Sequence, residues 1–307
     1  MNVVGQRRKG IEIAVGAAVV SGFAVFVNGL AVRRFDDPTV YTTAKNLIAG
    51  TLLLIALVAS TTVRSDPRVS SVPRSAWPTL AVIAVVGGAV PFVLFFEGLA
   101  RATSTNAAFI HKTLVLWVAI GATVFLRERI TAVHAVAIGL LLLGHVWLSG
   151  GLGAATFGTA ELLVLAATLC WAAEVLIVKR LMVAVPYQIA AVTRMVGGSL
   201  LLVGWLTVKG DLGELGGFAA QQWAWLLVTG ATLAAFVGTW YAALSMAPAI
   251  DVTAIMVLGA VITGVLNSGF RGVPLTVDSY GYVLIALGAV AVVAHALHIP
   301  HRQRASL

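Results

Sequence analysis

The fold class this sequence predicts is an all-α membrane protein, with ten transmembrane helices arranged as two inverted five-helix repeats. Three observations predict it. The first is composition: of 307 residues, 60% are hydrophobic and 10% are charged, and the mean hydropathy is +0.98. A soluble domain carries about 25% charged residues, so lipid rather than water must face most of this chain. The second is duplication. The stretch TSTNAAFIHKTLVLWVAIGATVFLRERIT, from Thr103 to Thr131, aligns without a gap to PAIDVTAIMVLGAVITGVLNSGFRGVPLT, from Pro248 to Thr276, at a constant offset of 145. Each copy has a small or polar entry, an apolar run and a basic exit, and ends on a Thr that opens another apolar run. The third is the number of apolar runs long enough to span a bilayer, which needs about 20 residues each.

Taken in order, those runs fall at 11–32, 39–60, 77–97, 104–125, 131–149, 158–180, 187–208, 223–245, 250–270 and 279–297. Each must be helical, because backbone groups in lipid have no water to bond and must satisfy one another within the segment. The basic start MNVVGQRRKG imitates a signal peptide, but its apolar run is long and lacks a small-residue cleavage site, so it reads as a retained first helix. Asp37-Pro38-Thr39 opens the second run. A Pro/Ser/Arg-rich loop, 61–76, leads to the third, where Gly87-Gly88 followed by Pro91 predicts a bend. The fourth and ninth runs are the duplicated stretch. Glycines between 149 and 158 mark the joint, dividing the chain into repeats 1–153 and 154–307. In the eighth run, Gly230 and Gly238 are further hinge candidates, although small residues equally serve close helix packing.

The entries to the second and seventh runs also correspond, from Pro38 to Lys45, Asn46 and Gly50, and from Pro186 to Arg194 and Gly198. Five helices per half is an odd number, so the second half enters the membrane in the opposite orientation. An inverted repeat with a pseudo-two-fold axis in the membrane plane is the architecture of secondary transporters. With the N-terminus inside, twelve Lys and Arg fall on the cytoplasmic side and five on the outer side, which places both termini in the cytoplasm.

The Pro-to-basic spacings just named resemble those of the drug/metabolite transporter superfamily, EamA type. So do Leu99-Ala100-Arg101-Ala102 and Leu244-Ser245-Met246-Ala247, which precede the fourth and ninth runs, and the exit Arg127-Glu128-Arg129-Ile130-Thr131. The resemblance covers essentially the whole chain and is most similar to the bacterial amino-acid exporters of the YddG type. It implies a ten-helix basket around a central cavity, with the fifth and tenth helices peripheral, and export of amino acids or similar metabolites. The chain departs from equivalence between its halves. The second copy reads Arg271-Gly272-Val273-Pro274-Leu275-Thr276, without the carboxylate of Glu128, and Lys45 or Asn46 stands where the second half has Arg194.

An ionisable group within a span costs about 2.5–3.5 kcal/mol on insertion scales, so each needs a reason. Lys45, Asn46, His111, Lys112, Glu174 and Arg194 are the candidates for a water-filled cavity, the cations for a substrate carboxylate and Glu174 for an amino group. The bland alternatives are a structural pair between Glu174 and Arg194 and an outward-reaching Lys45. Glu97 and Asp251, near helix ends, read as interfacial. Phe109, Trp171, Trp240 and Tyr241 supply apolar walls, since small-molecule pockets combine such walls with few polar groups. Trp77, Trp223 and Trp225 start helices and fit an interfacial belt.

Other classes fit less well. There is no Walker A sequence, no His-Glu-x-x-His and no Gly-x-Ser-Gly, so neither ATP hydrolysis nor an intramembrane enzyme is indicated. Cys170 is the only cysteine, which excludes an intrachain disulfide. Basic residues are dispersed at the ends of apolar runs, which signals topology and not nucleic acid. The expected partners are a small-molecule substrate and the bilayer, with proton coupling open through Glu174, Asp251 or His111, and no metal or cofactor. Phosphorylated or nucleotide-linked sugars are the alternative substrate class.

Overall fold

The structure is a computed structural model that describes residues 3–60, 66, 69, 72–99, 101, 110–148, 158–271 and 280–298. The described residues contain helices and turns and no strand. The helices are α1 (Val3–Ala31), α2 (Pro38–Ala59), α3 (Trp77–Gly88), α4 (Val90–Leu99), α5 (Leu114–Phe125), α6 (Ala132–Leu148) and α7 (Thr159–Leu181). They continue as α8 (Tyr187–Val192), α9 (Gly198–Lys209), α10 (Ala220–Met246), α11 (Ala249–Met256), α12 (Leu258–Arg271) and α13 (Tyr280–His298). Among the described residues, eight stretches are long and apolar enough to cross a membrane, and two shorter apolar helices, Ile110–Phe125 and Ala132–Leu148, join them. The first helix begins eight residues before the start its apolar run predicts, because Arg7, Arg8 and Lys9 extend it past the hydrocarbon-compatible segment.

Local chemistry explains the ends. Asp37 caps α2: its side chain accepts from the backbone N–H of Thr39 at 2.5 Å and of Val40 at 3.2 Å, with Pro38 at the position where a missing N–H costs nothing. Glu161 in the first turn of α7 reaches back to the Gly158 N–H at 2.9 Å. Large apolar side chains such as Val58, Val124, Leu143, Val208 and Phe270 cover the outside, as a lipid-facing surface requires.

Inside, small residues let backbones meet. α1 lies against α10 and α12, α2 against α10, α4 against α7, and α6 against α13. A Cβ added at Gly144 would stand 2.5 Å from the Gly281 carbonyl oxygen, and one at Gly281 would stand 2.5 Å from the Gly144 oxygen, so the α6–α13 crossing admits glycine alone at both positions. Gly230 plays the same part between α10 and α2, where a Cβ would meet Ile48 Cγ2 at 2.6 Å. α10 runs unbroken through Gly230 and Gly238. Gly230 is required by packing, and the space around Gly238 is ordinary.

Interruptions occur elsewhere. The third apolar run breaks at Ala89, between α3 and α4, at the bend expected from Gly87, Gly88 and Pro91. The fourth breaks at Thr113 and the ninth at Val257, 144 positions apart and one short of the repeat offset. Between α8 and α9 the chain forms a π turn, Thr193–Gly197.

Candidate functional site

These interruptions surround a cavity of about 260 Å³. Its wall takes Ser21 from α1, Phe92 from α4, Trp171, Glu174 and Val175 from α7, and Arg194 and Met195 from the π turn. α10 adds Leu233, Phe236, Val237 and Trp240. His111, Lys112, Leu114 and Val115 flank the break at Thr113, while Thr253, Met256 and Val257 flank the break at Val257. Discontinuous helices line transporter sites because an unwound backbone is tolerated at membrane depth only where it faces protein or a cavity.

One side of the cavity is a closed polar framework, and Pro91 is its origin. A proline has no N–H, so the carbonyl four residues earlier, that of Gly87, loses its helical partner. That oxygen instead accepts from Trp171 Nε1 at 3.2 Å and Arg194 Nε at 3.3 Å. Two cavity side chains are thereby aimed by one freed carbonyl. Gly87 itself has no room for a side chain: a Cβ would lie 2.5 Å from Glu174 Cγ and 3.3 Å from Arg194 Nε. Behind them Tyr241, fully buried, donates its hydroxyl to Glu174 Oε1, and its ring lies 5.8 Å beneath the Arg194 guanidinium. Glu174 thus stands among Arg194, Tyr241 and Gly87, with its carboxylate engaged. Arg194 sits in the π turn, the kind of local over-insertion that recurs where a helix must aim one side chain.

The other side is unsatisfied. Among the described residues Lys112 has no hydrogen-bond or ion-pair partner, and His111 Nδ1 and Thr253 Oγ1 are buried without one. These three groups come from the first copy of the duplicated stretch and from the second. Aromatic rings fill the space between the two sides. Trp171 packs edge-on to Phe92 at 5.4 Å and to His111 at 5.1 Å, and Phe236 lies 6.0 Å from Trp240.

Of the residues singled out in the sequence, His111, Lys112, Trp171, Glu174, Arg194 and Trp240 line this cavity. Tyr241 is one layer back. Lys45 and Asn46 are elsewhere. Lys45 Nζ donates to Asn28 Oδ1 at 3.0 Å and lies 5.0 Å over the Tyr41 ring, and Tyr41 donates to the same oxygen at 2.6 Å. Asn46 is buried beside it with neither amide atom bonded. The cavity wall takes no residue from α2, and spacing along one helix does not show which helices enclose a cavity. Phe109 lies outside the described residues, as does the side chain of His145. Asp251 is not interfacial: it is 1% exposed and bonded to Arg7 and His134. Sequence reasoning missed Thr253, Ser21 and Phe236. Thr253 was reachable, since it lies in the second copy of the repeated stretch, but its hydroxyl carried no signal of its own.

Apolar helices enclosing a charged, aromatic-walled cavity define a membrane transporter. The model of the EamA-like transporter family matches residues 8–150 and again 158–294. The chain belongs to that family, within the drug/metabolite transporter superfamily, and is an integral membrane protein built of two copies of the family's unit. A solved structure described only as "Crystal structure of protein" superposes with a TM-score of 0.74 over 92% of this chain and 98% of its own, at 17% identity, a likeness of fold. A search of curated proteins finds no match.

Proposed function

We propose that this chain is a secondary transporter that exports small amphipathic metabolites, amino acids and aromatic amino acids first among them, across the bacterial inner membrane by alternating access. The observation that carries the reading is Lys112: a cation with no partner among the described residues, in a cavity that His111 and Thr253 also line, across aromatic and aliphatic walls from Glu174 and Arg194. Such a cation suits a carboxylate, and the rings of Phe92, Trp171 and Trp240 suit the apolar body attached to it. Arg194, Glu174 and Tyr241 form the opposite, structured pole. The cavity volume of about 260 Å³ is compatible with a single small metabolite.

In the same reading, ten helices form two inverted repeats, 1–153 and 154–307, with both termini cytoplasmic. Support comes from the family match, which stops at 150 and resumes at 158, and from the breaks at Thr113 and Val257, which recur at nearly the repeat offset. The interruption at Gly87, Gly88 and Pro91 serves as a bending point when the cavity changes face.

The test is uptake of labelled amino acids by the purified protein in tight liposomes, with and without a pH gradient. Saturable uptake of an apolar or aromatic amino acid is expected, and its pH response separates proton coupling from facilitated diffusion. Uptake of phosphorylated or nucleotide-linked sugars in its place would overturn the amino-acid assignment and make Lys112, Arg194 and His111 the anchors of a phosphate.

A further inference from the structure

We propose that a set of charged contacts at the end of the bundle where the chain begins is a lock between the two halves, and that its rupture opens the cavity to that face. Asp251, in the first turn of α11, is its centre. Its carboxylate accepts from Arg7 Nη2 of α1 at 2.7 Å and lies 2.7 Å from His134 Nε2 of α6. The Thr131 backbone N–H donates to His134 Nδ1 at 3.2 Å, and the Thr131 hydroxyl lies 3.0 Å from the same nitrogen, so the ring is held at both ends. Arg7 brings a positive charge to the cluster, and Lys179 adds another near Asp251 and Glu128.

A second clamp acts on the same helix. Glu128, just past the end of α5, accepts from the N–H groups of Ala249 at 2.8 Å and Ile250 at 3.0 Å, which have no partner within α11. Arg7, Glu128 and His134 belong to the first half of the chain, and Ala249, Ile250 and Asp251 to the second. α11 has eight residues and is separated from α12 by the break at Val257, so it is a short unit held at its start by the other half. Its opposite end carries Thr253 and Met256 into the cavity wall. Whatever holds Asp251 holds that wall. The duplicated stretch supplies the Glu128 clamp once only. The second copy has Val273 at the equivalent position, so the two ends of the bundle are not closed by the same chemistry.

This inference rests on the alternating-access reading above, but its test needs no substrate. In a Cys170→Ala background, Ser21→Cys places a reporter thiol on the cavity wall. Its rate of modification by a membrane-impermeant thiol reagent is then measured separately from each membrane face of oriented vesicles. Breaking a buried ion pair is strongly unfavourable, so Arg7→Gln and Asp251→Asn are each expected to raise the rate from the N-terminal face by about tenfold or more. Because the two faces open alternately, each variant is also expected to lower the rate from the opposite face. Arg7→Lys, which keeps the charge, is expected to stay near the parent. Unchanged rates in both variants overturn the proposal, and so does an equal rise from both faces, which marks a loosened bundle. If Asp251→Asn does not yield monodisperse protein, Arg7→Gln decides alone, since Arg7 is only partly buried. Loss of amino-acid uptake with the labelling pattern intact would overturn the substrate assignment and leave the lock standing.

Discussion

At the scale of single residues, the cavity divides into groups that are engaged and groups that are not, and the two behave differently on substitution. Lys112 bonds nothing among the described residues, so Lys112→Ala removes a binding group without orphaning a buried partner. We expect uptake to fall about tenfold or more at low substrate while the melting temperature in detergent barely moves. Tyr241→Phe is the opposite case. It strips the donor from a buried carboxylate, which typically costs about 1.5–3 kcal/mol, so a clear drop in thermal stability is expected alongside reduced transport. Equal stability of Tyr241→Phe and the parent would show that Glu174 finds its partner elsewhere. Gly88→Ala tests packing. A Cβ there would run into the Arg194 carbonyl oxygen and lie 2.8 Å from Gly198 Cα, both backbone atoms, and overpacking of this kind costs about 1–3 kcal/mol. Thermal unfolding of Gly88→Ala close to that of the parent would contradict that geometry.

At the scale of elements, function depends on where helices fail to be regular. The break at Ala89 exists because Pro91 cannot donate to Gly87, and the freed carbonyl orients both Trp171 and Arg194. Pro91→Ala restores a helical donor that competes for this oxygen. Its expected result is a raised apparent KM in liposome uptake with normal membrane insertion, whereas an unchanged KM would mean the two side chains are held by other contacts. A Gly-Gly-x-x-Pro pattern was legible as a bend. The π turn that carries Arg194 was not, because nothing in Thr193-Arg194-Met195-Val196-Gly197 distinguishes one extra residue in a turn from a regular helix. Gly230 serves close approach to α2, and sequence does not separate that use from flexibility.

At the scale of the molecule, the prediction concerns which residues meet water. With Cys170 replaced, Trp171→Cys is expected to react with a polar thiol reagent, since Trp171 lines the cavity. Thr43→Cys is expected to stay protected, because Thr43 is fully buried, bonded to the Thr39 carbonyl at 2.8 Å and away from the cavity wall. Reaction at Thr43 with protection at Trp171 would place the aqueous path along α2 instead. The helices meet across the two halves, α1 on α10 and α2 on α10, so neither half encloses the cavity alone. Either repeat expressed by itself is therefore expected to insert without saturable uptake.

Composition and repetition alone determined that this chain lives in lipid, that it is helical and that it is built twice, because the cost of an unpaired backbone group in hydrocarbon leaves few alternatives and duplication is visible as an offset. They also placed His111, Lys112, Glu174 and Arg194 under suspicion, since a charge within a span needs a reason. Only the tertiary structure decided what each reason is. It joined Glu174 to Tyr241, took Lys45 to Asn28 and Tyr41, left Lys112 without a partner among the described residues, and gathered Arg7, His134 and Asp251 into one cluster. Those outcomes depend on helix rotation and on contacts between residues far apart in the chain, and a linear pattern holds neither.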